Sequence, residues 1–239
     1  MELLSNKRIG INGNQLKIIA LITMIIDHVG LILFPNITLF RIIGRISLPI
    51  YAFLIAEGCR HTRNRKRYFG LIFAIAIIYQ LVFLLFMQSL YQGILVTFSL
   101  SIAIIFTSEI LISKESSSKD CTLASLGLLA SIIVGFICPI IFADYGFIID
   151  YEAWGIVLPV IIYFSPSKKV KIILFAVLIS AMACFSKGIQ WWALLSIPLI
   201  ALYNGERGNR KMKYLFYIAY PLHLVIIYGI AILIAMLKR

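Results

Sequence analysis

The sequence contains little charge. Only 13% of its 239 residues are Asp, Glu, Lys or Arg, whereas 62% are hydrophobic. A soluble globular domain averages about 25% charged residues, so this composition excludes an ordinary water-soluble fold and favours a protein surrounded by lipid. The net charge is +12. Because the basic residues fall in short loops between apolar runs, they are typical of membrane-orientation signals, and we expect no nucleic-acid binding.

Cysteine, repeats and linkers are also scarce. The four cysteines, Cys59, Cys121, Cys138 and Cys184, form no CxxC pair, so we expect small apolar residues in packed helices and no metal site. No internal repeat and no Pro-, Gly- or Ser-rich linker divides the chain, which predicts one transmembrane domain over residues 1–239 and no soluble domain. The short basic N-terminus is not followed by a small-residue cleavage pattern, so we expect the first span to be retained.

What the sequence does contain is a succession of apolar runs. A membrane-spanning helix needs about 20 mostly apolar residues. We therefore predict an all-α, polytopic integral membrane bundle of about nine spans, with eight or ten as alternatives. A cytoplasmic N-terminus puts 17 of the 22 Lys and Arg residues on the cytoplasmic side, as the positive-inside rule expects. The predicted spans lie near residues 16–35, 39–58, 69–88, 93–112, 121–142, 152–164, 170–186, 188–203 and 214–237.

The first span carries ionisable residues, which are costly in hydrocarbon and therefore mark a candidate site. Lys17 and His28 are eleven residues apart, within about 20° of one helix face and about 16 Å apart along the axis. In an apolar site, a neutral His28 suits a general base whose ring the neighbouring Asp27 would orient. The alternative is a buried polar pair that joins helices.

Two arginines open the second span. Arg41 and Arg45 lie at i, i+4 on one face near its outer end. Guanidinium groups near hydrocarbon need anionic partners. Asp27 is the favoured partner, and an anionic substrate or the acids of a later outer loop are the alternatives. Those acids are Asp144, Asp150 and Glu152.

The second span ends in a basic run. Glu57 precedes Arg60 and His61 by three and four residues, so we expect these three to pair. The remaining run over residues 63–67 is too dense to be neutralised locally. One interpretation is a topology anchor facing anionic lipid. The other is a cytoplasmic phosphate-binding patch of the kind that the diphosphate and 3′-phosphate of coenzyme A require.

The last span holds a second candidate histidine. Pro221 is expected to kink this helix and to free polar groups beside it. His223 lies about 15 Å beyond the helix start, a depth similar to that of His28. The two histidines are therefore predicted to face one cavity.

Four strings resemble the TraX family: LKIIALITMIIDHVG, RIIGRISLPIYAFLIAEGCRHTRNRKRY, ADYG and KYLFYIAYPLHLVIIY. Members of that family are bacterial inner-membrane proteins named for N-terminal acetylation of conjugative pilin. More distantly, the first half is similar to membrane O-acyltransferases of bacterial surface polysaccharides. Those enzymes have a basic residue before a His on an early span and a basic cluster after a following span. Lys17 stands where they usually have Arg.

The resemblance implies a protein of the bacterial cytoplasmic membrane that moves an acetyl group from acetyl-CoA to an amine or hydroxyl. It implies membrane lipids as partners and a protein N-terminus, a glycan or a small molecule as acceptor. A proton-coupled transporter or flippase and a non-catalytic assembly factor are the alternatives. On this interpretation His28 is the base, Asp27 orients it and His223 polarises the thioester carbonyl. The expected acetyl-CoA ligands are Lys17, Arg60, His61, Arg63 and Arg65, and the expected acceptor-side residues are Arg41, Arg45, Glu57 and Asp144.

Overall fold

A computed structural model describes residues 10–186, 188–208 and 213–237. This part of the chain is largely helical and contains no β-strand, only two isolated bridges. The helices are α1 (Gly13–Ile32), α2 (Thr38–Gly44), α3 (Ser47–His61), α4 (Arg65–Met87), α5 (Ile94–Ile112), α6 (Ser118–Ile132), α7 (Cys138–Ile141), α8 (Glu152–Phe164), α9 (Lys168–Ser186), α10 (Ser196–Ala201) and α11 (Lys213–Leu237). A π-helical turn joins α6 to α7, and a 3₁₀ helix, Gly188–Leu195, precedes α10.

Seven helical segments of the described chain are long and apolar enough to cross a membrane, so the protein is a multi-pass membrane protein. They are Gly13–Ile32, Thr38–His61, Arg65–Leu85, Ile94–Ile112, Ser118–Ile141, Lys168–Ser186 and Ile218–Leu237. The other two predicted spans coincide with shorter apolar helices, Glu152–Phe164 and Gly188–Ala201. The count of nine and the cytoplasmic N-terminus stay predictions. Seven basic residues lie outside the described residues. Four of them were counted on the cytoplasmic side, Lys7, Arg8, Arg210 and Lys211, and three on the outer side, Lys187, Lys238 and Arg239.

The chain divides into two compact units. The first unit comprises residues 1–51 and 179–239, and the second comprises residues 52–178. The single transmembrane domain stays a prediction.

In the first unit, α1 begins at a well-defined cap. The side chain of Asn12 accepts hydrogen bonds from the backbone N–H groups of residues 14 and 15, and the backbone N–H of Asn12 donates to Oε1 of Gln15. This reciprocal arrangement satisfies amide groups that a helix start otherwise leaves unpaired. Backbone hydrogen bonds also tie residues 11–13 to the 202–206 segment, including Gly13 N–H to the carbonyl of Glu206 at 2.7 Å. The start of α1 is thus fixed against the segment that follows α10.

In the second unit, α8 runs parallel to α5. The hydroxyl of Thr97 donates to the carbonyl of Asp150, and that of Ser101 donates to the carbonyl of Ile156. Further along both helices, Tyr163 donates its hydroxyl to Glu109. At these three contacts the residue numbers increase in the same direction along both helices. The two helices therefore point the same way over the full length of α8.

Candidate functional site

In the first unit, Asp27 is the anion that binds both arginines of the second predicted span. Its Oδ2 lies 2.5 Å from Nη1 of Arg41, and its Oδ1 lies 2.8 Å from Nη2 of Arg45. The Arg45 side chain is only 7% exposed, so its charge has little access to solvent. The predicted pairing of Asp27 with Arg41 and Arg45 is confirmed. Each of its carboxylate oxygens accepts a charge-assisted hydrogen bond.

Gly44 makes room for this ion pair. A Cβ at position 44 would lie 2.0 Å from Oδ1 of Asp27 and 2.3 Å from its Cβ. Only a residue without a side chain lets α1 approach α2 this closely. Gly44 therefore leaves the space in which the carboxylate of Asp27 binds Arg41 and Arg45.

The two histidines of the first unit meet between α1 and α11. Their ring centroids are 4.9 Å apart, and Nε2 of His223 lies 3.4 Å from Nδ1 of His28. Nδ1 of His28 lies 2.9 Å from the carbonyl of Met24, and Nδ1 of His223 lies 3.1 Å from the carbonyl of Ala219. The two histidines, which the sequence predicts to face one cavity, are therefore in direct contact.

These contacts define the tautomers of both rings. A carbonyl oxygen only accepts, so Nδ1 of each histidine carries a hydrogen, and Nε2 of each neutral ring carries a lone pair. Nε2 of His223 is directed at the Nδ1–H of His28. Nε2 of His28 has no hydrogen-bond partner within the described part of the chain. The nitrogen that is available to take a proton is therefore Nε2 of His28.

Two sequence-based roles need correction. Asp27 does not orient His28, because both of its carboxylate oxygens bind arginines while the Met24 carbonyl holds the imidazole. Nε2 of His223 faces His28, so it is not placed to polarise a thioester. Chain neighbours such as Asp27 and His28 point about 100° apart on a helix, which is why they find different partners.

Lys17 lies on the same side of α1 as His28. Its Nζ is 5.6 Å from the centroid of the Phe216 ring, a cation–π contact with α11. His28 and Lys17 therefore both face α11. This agrees with the prediction that their eleven-residue spacing places them on one face of α1.

In the second unit, Glu57 is a buried carboxylate bound by three basic side chains. Its Oε1 lies 3.1 Å from Nη1 of Arg60 and 2.7 Å from Nζ of Lys171, and its Oε2 lies 3.4 Å from Nε2 of His61. The predicted pairing with Arg60 and His61 is confirmed, whereas Lys171 was not foreseen. Arg60 also donates to the carbonyls of Ile162 and Tyr163.

Glu109 forms a second carboxylate centre that sequence reasoning missed. Its Oε2 lies 2.7 Å from Nη2 of Arg65, and its Oε1 accepts the hydroxyl of Tyr163. The Arg65 guanidinium also lies 5.6 Å from the centroid of the Phe106 ring. The sequence does contain a signal for this centre. Glu109 is an acid within an apolar span, and such residues rarely lack a partner.

Glu57 and Glu109 together tie five helix ends to one another: the end of α3, the start of α4, the end of α5, the end of α8 and the start of α9. We call this arrangement the carboxylate cluster. In this cluster the carboxylates of Glu57 and Glu109 pair with Arg60, His61 and Arg65, three of the residues predicted to bind acetyl-CoA. Of that predicted set, Arg63 is exposed and has no ion-pair partner among the described residues.

The remaining predicted residue, Asp144, is exposed in a short 3₁₀ turn after α7. Of the acids around it, Asp150 has the defined role, since it accepts the hydroxyl of Tyr91 at 2.6 Å. Burial, and next the adjacent Asp150 carboxylate, raise the pKa of Tyr91 well above its usual range. Tyr91 is thus a neutral donor that joins the α4–α5 turn to the segment before α8.

Comparisons with known proteins identify the family of the chain. The model of the TraX protein family matches residues 12–231. The chain is 26% identical over 251 residues to the "Probable fimbrial assembly protein FimC, serogroup H1" of Dichelobacter nodosus, covering 93% of this chain and 96% of that protein. It is 55% identical over 38 residues to an uncharacterized protein of Rickettsia prowazekii (strain Madrid E), covering 16% and 15% of the two chains. No solved structure matches the chain. Because the family model spans nearly the whole sequence, this multi-pass membrane protein belongs to the TraX family.

Proposed function

We propose that the protein is a membrane acetyltransferase that moves an acetyl group from acetyl-CoA to an acceptor amine or hydroxyl. The observation that carries the proposal is the tautomer of His28. The Met24 carbonyl holds its Nδ1–H, and the unprotonated Nε2 has no partner in the described chain. A fixed imidazole with an available Nε2 is what a general base requires.

The chemistry follows from that nitrogen. Nε2 of His28 takes the proton from the acceptor as its nitrogen or oxygen attacks the thioester carbonyl carbon. The carbon–sulfur bond then breaks, and the same proton passes to the departing coenzyme A thiolate. While His28 carries the extra proton, its Nδ1–H donates to the Met24 carbonyl and to the lone pair on Nε2 of His223. His223 is therefore a positioning residue that stabilises the charged ring.

The relative from Dichelobacter nodosus is named as a fimbrial assembly protein, which favours a protein acceptor, such as the N-terminus of a fimbrial subunit. The same name favours a second candidate function, a fimbrial assembly factor without catalytic activity. The two differ in whether coenzyme A is released.

The test uses the full-length protein in detergent with acetyl-labelled acetyl-CoA and a fimbrial-subunit N-terminal peptide as acceptor. We expect His28→Gln to lower coenzyme A release about 10²–10⁴-fold while acetyl-CoA binding is retained. His223→Gln should lower turnover less, and Tyr145→Phe, at an exposed position outside the clusters, is the control. Unchanged turnover in His28→Gln contradicts the general-base role. Absence of both binding and turnover in the wild type favours the assembly factor.

We also propose that the N-terminus is cytoplasmic and that both shorter apolar helices, α8 and Gly188–Ala201, cross the membrane, which together with the seven long segments gives nine spans. The parallel course of α5 and α8 supports the crossing by α8, because two spans separated by one other span must point the same way. The 13 residues of α8 extend about 20 Å, which is short for a 30 Å hydrocarbon core. Bilayer thinning around short helices has a modest cost.

A further inference from the structure

The structure places two basic turns of the second unit side by side. The α3–α4 turn, residues 62–64, follows Arg60, and the α8–α9 turn, residues 165–167, follows Tyr163. Arg60 donates to the carbonyls at the end of α8, and Lys171 of α9 binds Glu57 of α3 at 2.7 Å. These contacts join residues more than 100 positions apart, so sequence analysis does not predict that the two turns are neighbours.

Each turn presents exposed cations beyond the carboxylate cluster. The α3–α4 turn and the start of α4 carry Arg63, Lys66 and Arg67, and the start of α9 carries Lys168 and Lys169. All five side chains are exposed.

The acids of the carboxylate cluster are engaged by other basic side chains. Glu57 and Glu109 are already bound by Arg60, Lys171 and Arg65. The nearby α5–α6 region adds no net charge, because Lys114 and Lys119 accompany its acids, Glu115 and Asp120.

We propose that these five cations form one surface, which we call the double-turn surface, and that it binds the phosphate groups of coenzyme A. Lys168 and Lys169 are then ligands that the sequence resemblance did not assign. This inference rests on the proposed acetyl-CoA-dependent function. Coenzyme A carries a diphosphate and a separate 3′-phosphate, so two adjoining cationic turns match its charge. Arginine offers paired donors to phosphate oxygens, and lysine offers a compact charge.

Phosphate groups also occur on lipid headgroups, and a basic loop that only contacts anionic lipid needs no fixed arrangement. Here the two turns are held in register by the Glu57–Lys171 ion pair between α3 and α9 and by the hydrogen bonds from Arg60 to the end of α8. We therefore assign the surface to the soluble nucleotide.

The test measures the binding of coenzyme A and of dephospho-coenzyme A, which lacks the 3′-phosphate, to the full-length protein in detergent. The variants are Lys168→Gln/Lys169→Gln and Arg63→Gln/Arg67→Gln. Lys114→Gln/Lys119→Gln is the control, since it removes two cations from the adjoining turn. We expect each of the first two pairs to weaken coenzyme A binding about tenfold, with a smaller dependence on salt, and the control to bind as the wild type does.

The outcomes separate this inference from the proposed function. Wild-type affinity in Lys168→Gln/Lys169→Gln, with loss only in Arg63→Gln/Arg67→Gln, overturns the double-turn surface but leaves acetyl-CoA as donor. Unaltered coenzyme A binding in both variants, with loss of binding to phosphatidylglycerol vesicles after reconstitution, assigns the surface to lipid and overturns the inference. A wild type that binds no coenzyme A overturns both proposals.

Discussion

At the residue scale, the buried charged side chains of the described residues are paired with side chains of opposite charge. Asp27 holds Arg41 and Arg45, and Glu57 holds Arg60 and Lys171. Breaking a buried pair leaves an uncompensated charge, which costs far more than the loss of an exposed pair. The residues that permit such contacts, Gly44 above all, are therefore as important as the ions themselves.

Replacing Gly44 with alanine tests this point. The new Cβ would lie 2.0 Å from Oδ1 of Asp27, so the carboxylate must leave its place between the two arginines. We expect destabilisation of about 1–3 kcal/mol from overpacking, measured as a lower thermal unfolding midpoint in detergent. Gly70→Ala is the matched control, because nothing lies within 4 Å of a Cβ at position 70. Equal midpoints for the two variants would contradict the close approach of Asp27.

At the element scale, the parallel pair α5 and α8 determines which side of the membrane the later loops occupy. Spans that alternate direction place the α5–α6 and α8–α9 turns on one side only if α8 crosses. The carboxylate cluster brings the ends of α5 and α8 together through Tyr163 and Glu109. The proposed topology therefore counts α8 among the membrane crossings although it is shorter than the usual length of a span.

Cysteine labelling in intact cells checks this element. In a chain whose four native cysteines have been replaced, we expect Glu115→Cys and Ser167→Cys to be protected from an impermeant maleimide. Asp144→Cys should be labelled, because its position before α8 is on the opposite side. Labelling at position 167 would show that α8 does not cross and that the span count is lower than nine.

At the scale of the whole molecule, a net charge of +12 has to be accommodated by very few acids. The chain contains ten Asp and Glu residues against 22 Lys and Arg residues. In the carboxylate cluster, two of these acids, Glu57 and Glu109, join helices from distant parts of the second unit. The five exposed cations beside that cluster form the proposed double-turn surface.

Removing one of those acids should loosen the second unit. In Glu57→Gln, Arg60 and Lys171 lose the negative charge of the carboxylate whose oxygen lies 3.1 and 2.7 Å from them, and their own charges repel each other. We expect a loss of about 3 kcal/mol, partly recovered at high salt, measured by thermal unfolding across a salt series. Glu115→Gln removes an exposed charge instead and should change the midpoint little. A salt-independent loss in Glu57→Gln would point to packing rather than charge.

Several features were readable from the chain itself, because they depend on local periodicity and composition. Long apolar runs predict membrane helices whatever the tertiary arrangement, and an i, i+3 or i, i+4 spacing predicts Glu57 with Arg60 and His61. The pairing of Asp27 with the two arginines followed from the scarcity of acids. The IDHVG and AEGCRHTRN strings indicated the family.

Tertiary structure alone decided the rest, since it depends on contacts between distant segments. The His223 ring that faces His28 is brought there by the packing of α11 against α1. Which cations are paired depends on acids such as Glu109, which binds Arg65, whereas Arg63 is exposed. The sequence determined a membrane protein with costly internal charges. The packing determined which charges neutralise one another and which stay exposed, because a counter-ion is selected by distance in space.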